Sequence, residues 1–127
     1  MDEPSPLMQL DGYFNTDNQP AVQLVLDGKN VEVLIDTGFS GGLILPIEVA
    51  EDLSLDFEGF EEFSTATGQA LIVATYSKEI DWVNQLIRVA ISVSPEINEA
   101  LLGGWMLRNC LLTIDYSELT ARIVRKP

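Results

Sequence analysis

Apolar residues recur along most of this chain with a period of two, which is the period of a β-strand rather than a helix. Short segments with Gly, Asn, Asp or Ser separate the alternating stretches, as is typical of hairpins. The pattern predicts four hairpins, with the strand pairs Ala21–Leu26 and Val31–Ile35, Phe57–Ala66 and Gln69–Ser77, Lys78–Trp82 and Gln85–Val93, and Cys110–Tyr116 and Thr120–Arg125.

Four shorter segments complete the predicted elements. Leu43–Leu45 and Ala100–Leu102 are short apolar runs, which predict two further strands. Pro46–Leu53 has apolar residues at helical spacing after a proline that suits a first turn. Trp105–Asn109 is long enough for one helical turn. Many short strands with one or two short helices indicate an all-β fold.

The length and the composition indicate one domain. The chain has 127 residues, and 46% of them are apolar, which is enough to bury a core without disulfides or metal ions. Residues 1–19 are largely polar, and we predict an N-terminal arm there with at most one strand, which would lie at an interface. Residues 20–127 form the predicted domain. Because the acidic start of the chain lacks the basic and apolar regions of a secretory signal, we expect a cytoplasmic protein.

The charge balance and two scarce residue types exclude several classes of function. Twenty Asp and Glu against seven Lys and Arg give a net charge of −13, which disfavours nucleic acids and anionic membranes as partners. The chain has no His and one Cys, so it holds no Ser-His-Asp triad, Cys-His pair or His/Cys zinc site. If the chain is an enzyme, its chemistry therefore depends on carboxylates, hydroxyls, lysines or a bound cofactor. Cys110 is predicted to be a buried small apolar residue.

One short motif carries candidate chemistry. Asp36-Thr37-Gly38 follows the apolar run Val33–Ile35 directly. A carboxylate at the end of a buried strand is costly unless it is hydrogen-bonded or functional. The triplet alone is weak support, since typical residue frequencies place it by chance in roughly 2% of chains of this size.

Three other segments follow that triplet along the chain. They are Gly41–Pro46, the Thr67-Gly68 hairpin tip and Leu101-Leu102-Gly103. With these segments the chain resembles the single-domain retropepsin-like aspartic proteases, above all their small prokaryotic branch, from Pro20 to Arg125. The resemblance implies a closed all-β barrel that forms a homodimer, because this chain carries one Asp-Thr-Gly where the chemistry needs two.

The resemblance also implies roles for individual residues. Asp36, Thr37 and Gly38 match the catalytic aspartate, the residue that braces the paired loops and the glycine beside the scissile carbonyl. The residues matched to substrate binding are Phe39, Thr67, Gly68 and Gln69. The residues matched to support beneath the site are Leu101, Leu102 and Gly103.

Two classes of function follow from these residues. The first is an aspartic endopeptidase in which two Asp36 carboxyls share a proton and activate water, without a covalent intermediate. For this reaction we predict no metal and no cofactor. Its partners would be a second copy and a peptide or protein substrate. The alternative is a catalytically silent dimerisation or peptide-binding module of the same fold, since a fold alone does not determine activity. A monomer with an inactive half-site is a further alternative.

Overall fold

Ten strands form a single mixed sheet in the computed structural model, which describes residues 8–64 and 67–127. The strands are β1 Gln9–Phe14, β2 Pro20–Leu26, β3 Lys29–Ile35, β4 Leu43–Pro46, β5 Asp56–Ser64, β6 Ala70–Asp81, β7 Leu86–Ser94, β8 Leu101–Leu102, β9 Cys110–Asp115 and β10 Thr120–Arg125. One α-helix, α1, spans Ile47–Ala50, and a 3-10 helix spans Gly104–Leu107. No helix in these described ranges is long and apolar enough to cross a membrane.

Two of the predicted hairpins are confirmed with nearly the predicted bounds. β2 and β3 pair antiparallel, from Ala21 opposite Leu34 to Leu26 opposite Lys29. Asp27 and Gly28 form the turn, and both have positive φ angles, of 50° and 77°. Two successive positive φ angles match the right-handed twist of the flanking strands. β9 and β10 also pair as predicted.

The part of the sheet formed by β5, β6 and β7 differs from the prediction in one respect. The pattern predicts a break between Ser77 and Lys78, whereas β6 runs without interruption from Ala70 to Asp81. The strand is longer because it has a different partner along each part. β5 pairs with it from Ala70 to Ser77, and β7 pairs with its other edge from Ala74 to Asp81. The helix predicted over Pro46–Leu53 is shorter, with α1 limited to four residues.

The predicted closed barrel is wrong, because the sheet is open. Its strand order is β5-β6-β7-β4-β8-β3-β2-β1-β10-β9, so β5 and β9 are edges without a common hydrogen-bonded ladder. Most side chains of β5 are exposed, and the strand carries Asp56, Glu58, Glu61 and Glu62. Charged side chains on an edge strand oppose further strand pairing.

The N-terminal strand is part of the same sheet. β1 pairs with β10 from Gln9 to Tyr13 and with β2 at Tyr13 and Phe14. The division into an arm of residues 1–19 and a domain of residues 20–127 stays a prediction, and residues 1–7 lie outside the described ranges.

The core lies against the centre of the sheet. Its fully buried members come from β2, β3, β4, β7, β8 and β10 and from the 3-10 helix, and they are Val22, Leu26, Val33, Leu43, Leu45, Val89, Ile91, Leu102, Met106 and Ile123. Trp82 is buried, and its indole N–H donates to the carbonyl of Met106 at 2.9 Å. Trp105 and Cys110 are half-buried against this core, and burial raises the pKa of the Cys110 thiol.

Candidate active site

Asp36 lies where a central strand ends. β3 runs parallel to the short strand β8, with Leu34 opposite Leu101 and Ile35 opposite Leu102. The backbone N–H of Asp36 continues this pairing and donates to the carbonyl of Leu102 at 2.9 Å. The last apolar residues of β3 therefore hold the aspartate at a defined position, next to one of the segments that the resemblance identified as its support.

A tight turn orients the Asp36 carboxylate. Its Oδ1 accepts the backbone N–H of Gly38 at 3.0 Å, and the carbonyl of Asp36 accepts the N–H of Phe39 at 3.2 Å. The Asp36 side chain is half-buried, whereas Thr37 and Gly38 are exposed. The carboxylate is thus held by its own loop while it remains accessible from the surface of the chain.

The segment after β8 supports this loop through backbone hydrogen bonds. The N–H groups of Gly103 and Gly104 donate to the carbonyls of Gly42 and Phe39 at 2.8 and 2.7 Å. Trp105 donates in the same way to the carbonyl of Gly41, at 3.1 Å. Because the donors and acceptors are all backbone groups, the support depends on how closely the two segments approach each other.

Gly103 permits that close approach. A Cβ atom at this position would lie 2.2 Å from the carbonyl oxygen of Gly41 and 2.8 Å from that of Phe39. It would also lie 2.5 Å from Cδ2 of the Phe39 ring. A side chain of any size would therefore separate the two segments, and glycine is the residue that lets the backbones meet.

Phe39 packs within the site loop. Its half-buried ring lies against Gly103 and also against Gly41, where an added Cβ would come within 2.6 Å of the ring. This packing closes the loop over the segment beneath it. A contact between Phe39 and a substrate stays a prediction.

The other residues matched to substrate binding lie elsewhere on the sheet. Thr67, Gly68 and Gln69 are exposed in the turn between β5 and β6, outside the backbone network around Asp36. Gly68 has a φ angle of 84°, a conformation that favours glycine. The predicted strand ends at 65–66 fall outside the described ranges.

Sequence reasoning missed Gly42 and Gly104 as members of the site. The carbonyl of Gly42 and the N–H of Gly104 both belong to the network beneath Asp36. A Cβ at Gly42 would lie 2.7 Å from the carbonyl of Ala90 on β7, so this glycine also lets the loop approach the next strand. The available signal was the pair of adjacent glycines in each segment. In residues 8–64 and 67–127 no group of three carboxylate or thiol side chains is arranged to hold a metal ion.

The fold of the chain is that of known proteins, although its sequence matches none of the families or curated proteins compared. Neither a scan against family models nor a search of curated proteins gives a match. A retropepsin-like aspartic protease from Rickettsia conorii superposes with a TM-score of 0.65 at 18% identity, over 92% of this chain and 90% of that chain. EIAV protease, in complex with the inhibitor HBY-793, superposes with a TM-score of 0.62 at 18% identity. The match covers 75% of this chain and 90% of that chain.

A third similarity covers a small part of a much longer chain. The foamy viral protease-reverse transcriptase, in complex with an RNA/DNA hybrid, matches 82% of this chain and 12% of its own at 12% identity, with a TM-score of 0.50. The described residues therefore have the retropepsin-like fold, in a mostly-β chain with one small α-helix.

Proposed function

We propose that this chain is an aspartic endopeptidase whose active species is a homodimer, with Asp36 of each copy at the shared site. The observation that carries the proposal is the Asp36 loop, where Oδ1 is fixed by the Gly38 N–H and the loop rests on the segment after β8. A purely structural loop has no need of a surface-accessible carboxylate at the end of a central strand. The retropepsin-like fold agrees with this reading and does not by itself determine it.

The proposed reaction uses the two carboxyl groups in opposite protonation states. Two carboxylates at close range share one proton because they cannot both ionise. The ionised group takes a proton from water as the water oxygen bonds to the peptide carbonyl carbon, and the protonated group donates its proton to the carbonyl oxygen. Collapse of this intermediate breaks the C–N bond, and a proton passes to the leaving amine. Two products form, and no metal, cofactor or covalent enzyme intermediate is required.

The dimer follows from the count of aspartates at the site. One chain supplies a single Asp-Thr-Gly. The exposed Thr37 and Gly38 sit beside the carboxylate, where a second copy related by a twofold axis would meet them, and such self-complementary contacts are the commonest arrangement of identical chains. We assign the bracing of the two loops to the Thr37 hydroxyl. A cytoplasmic location stays a prediction.

The direct test is Asp36→Asn. Asn keeps the size of the side chain and can neither share the proton nor act as the base, so peptide cleavage should fall by about 10²–10⁴-fold. Cleavage is measured by mass spectrometry on a mixture of unstructured peptides at several pH values. Asp52→Asn is the matched control, because Asp52 is an exposed aspartate whose contact is the ion pair with Lys29 at 3.5 Å. Activity of Asp36→Asn within a few-fold of the parent protein would refute the proposal.

A second candidate function has one observation in its favour. An apolar groove of about 380 Å³ lies between α1 and the β5–β6 hairpin, and its wall includes Phe60 and Ile72, which are 72% and 65% exposed. A silent peptide-binding module would use such a groove. If the parent protein binds peptides from the mixture without cleaving them at any pH, this function replaces the endopeptidase.

A further inference from the structure

Within residues 8–64 and 67–127, three of the seven cationic side chains lack a carboxylate partner, although the chain carries twenty Asp and Glu. The other four cations have a carboxylate oxygen within 4 Å, in the pairs Lys29–Asp52, Lys78–Asp27, Arg88–Asp56 and Arg122–Asp11. Arg108, Arg125 and Lys126 form no ion pair in those ranges. These three line one cavity of about 520 Å³, whose described wall contains no Asp or Glu. We call this cavity the basic pocket.

The strand pairing brings the three cations together from two parts of the chain. Arg125, at the end of β10, lies opposite Cys110 on β9. The backbone N–H of Lys126 donates to the carbonyl of Asn109 at 2.7 Å, which places Lys126 beside the residue that follows Arg108. Backbone hydrogen bonds therefore bring the three cationic residues together, and their proximity does not depend on flexible side chains alone.

Neutral groups hold both arginines in place. The Arg108 guanidinium lies 4.4 Å from the centre of the Trp105 ring, and its Nε donates to the Trp105 carbonyl at 3.3 Å. The Arg125 guanidinium donates to the side-chain oxygen of Gln85. Such partners orient the guanidinium without cancelling its charge. An oriented guanidinium suits the oxygen atoms of carboxylate or phosphate groups, which it binds with paired hydrogen bonds.

The size of the ligand follows from the charge of the whole chain. The net charge of −13 repels large polyanions. Screening limits that repulsion to about 8 Å at physiological ionic strength, so a small anion inside the basic pocket responds mainly to the three local cations. A cavity of about 520 Å³ lies in the range of small-molecule sites.

We propose that the basic pocket is a binding site for a small organic anion, held through a carboxylate or phosphate group by Arg108, Arg125 and Lys126. The site is separate from the Asp36 carboxylate and does not depend on peptidase activity. Trp105 connects it to the Asp36 loop, because its backbone N–H donates to the Gly41 carbonyl and the Arg108 guanidinium lies over its ring.

The test is a titration of the full chain followed by NMR, with inorganic phosphate and succinate as separate probes at constant ionic strength in NaCl. We expect saturable shifts of the Asn109 and Lys126 amides and of the Trp105 indole N–H, with dissociation constants in the millimolar range or below. Arg108→Gln and Lys126→Gln should each weaken binding about 5-fold. Both side chains belong to exposed residues, so these variants should fold.

Arg122→Gln is the matched control, since it removes an equal charge from β10, the strand that ends at Arg125, and Arg122 is paired with Asp11 at 2.8 Å. It should leave the dissociation constants within about 2-fold. Tighter binding of phosphate would identify a phosphate ester as the ligand class, and tighter binding of succinate would identify a carboxylate. Linear shifts without saturation for both probes, or equal weakening by Arg122→Gln, would overturn the proposal.

Discussion

At the scale of single residues, one ion pair joins three separate segments. Lys78 Nζ on β6 lies 2.6 Å from Asp27 Oδ1 in the β2–β3 turn and donates to the carbonyl of Ser54 at 2.9 Å. The N–H of Ser54 in turn donates to Asp27 Oδ2 at 2.7 Å. The Lys78 side chain is only 10% exposed. The hydrogen bond from Lys78, followed by that from Ser54, holds the pKa of Asp27 below 3.8.

This pair predicts how Asp27→Asn changes stability with pH. Because the pKa of Asp27 is lowered in the folded state, its stabilising effect is complete above the unfolded value of 3.8 and is lost as the pH falls through the folded value. Asp27→Asn should therefore lower the free energy of unfolding at pH 7, and the difference from the parent should shrink below about pH 4. Asn tolerates the positive φ angle of 50° at this position.

Urea unfolding between pH 2.5 and 7 measures that difference. Asp115 also has a lowered pKa, because its carboxylate accepts N–H groups of Glu118 and Ser117. It is present in both proteins, so its contribution cancels in the comparison. A difference that stays constant over the whole pH range would show that Asp27 does not stabilise through its charge.

At the scale of elements, the two-residue strand β8 determines the candidate site. It lies between β3 and β4, parallel to β3 and antiparallel to β4. The residues that follow it carry the hydrogen bonds to the Asp36 loop. So short a strand contributes little pairing of its own, and its position depends on the close contact at Gly103.

We predict that alanine is destabilising at Gly103 and nearly neutral at the adjacent Gly104. Gly103→Ala would bring a methyl group to 2.2 Å from the Gly41 carbonyl, so we expect a loss of about 1–3 kcal/mol in the free energy of unfolding. Gly104→Ala is the control, because its nearest neighbour would be the Phe39 carbonyl oxygen at 3.6 Å. That variant should stay within about 0.5 kcal/mol of the parent. Equal effects in thermal unfolding would show that the close approach at Gly103 is unimportant.

The outer part of the β5–β6 hairpin should open more readily than its base. β6 pairs with β7 only from Ala74 onward, so Ala70–Ile72 pairs with β5 alone. A two-stranded ribbon is marginally stable in water. We expect the amides of Ala70–Ile72 to exchange with solvent at least about tenfold faster than those of Thr75–Ser77, which pair with both β5 and β7. Equal protection in hydrogen-exchange mass spectrometry would contradict this.

At the scale of the whole molecule, charge opposes the proposed dimer. Two chains of −13 bring −26 to one assembly, and like charges repel over distances beyond the contact itself. Raising NaCl from about 0.1 M to 1 M shortens the screening length from about 10 Å to about 3 Å. Light scattering at pH 7 should therefore show a larger dimer fraction at the higher salt concentration. A monomer at every salt concentration, with and without peptides, would exclude the shared site.

Local pairing was determined by the sequence alone. The alternation in Ala21–Leu26 and the Asp27-Gly28 turn place both strands of the β2–β3 hairpin within a few residues of each other, so neighbouring side chains specify their register. The resemblance carried by Asp36–Gly38 and Leu101–Gly103 also identified which two segments meet at the candidate site. The hairpin and the pair of site segments could both be predicted because each is indicated by a few residues close together in the sequence.

The tertiary structure decided those features that depend on residues far apart in the sequence. β6 continues past Ser77 because β7 pairs with its second edge, and the sheet stays open because β5 presents charged, exposed side chains along its edge. Arg108 and Arg125 are seventeen positions apart in the sequence. They line the same pocket because β9 and β10 pair. Strand order and such convergences arise from packing of the whole sheet, and residue patterns within one segment carry no information about them.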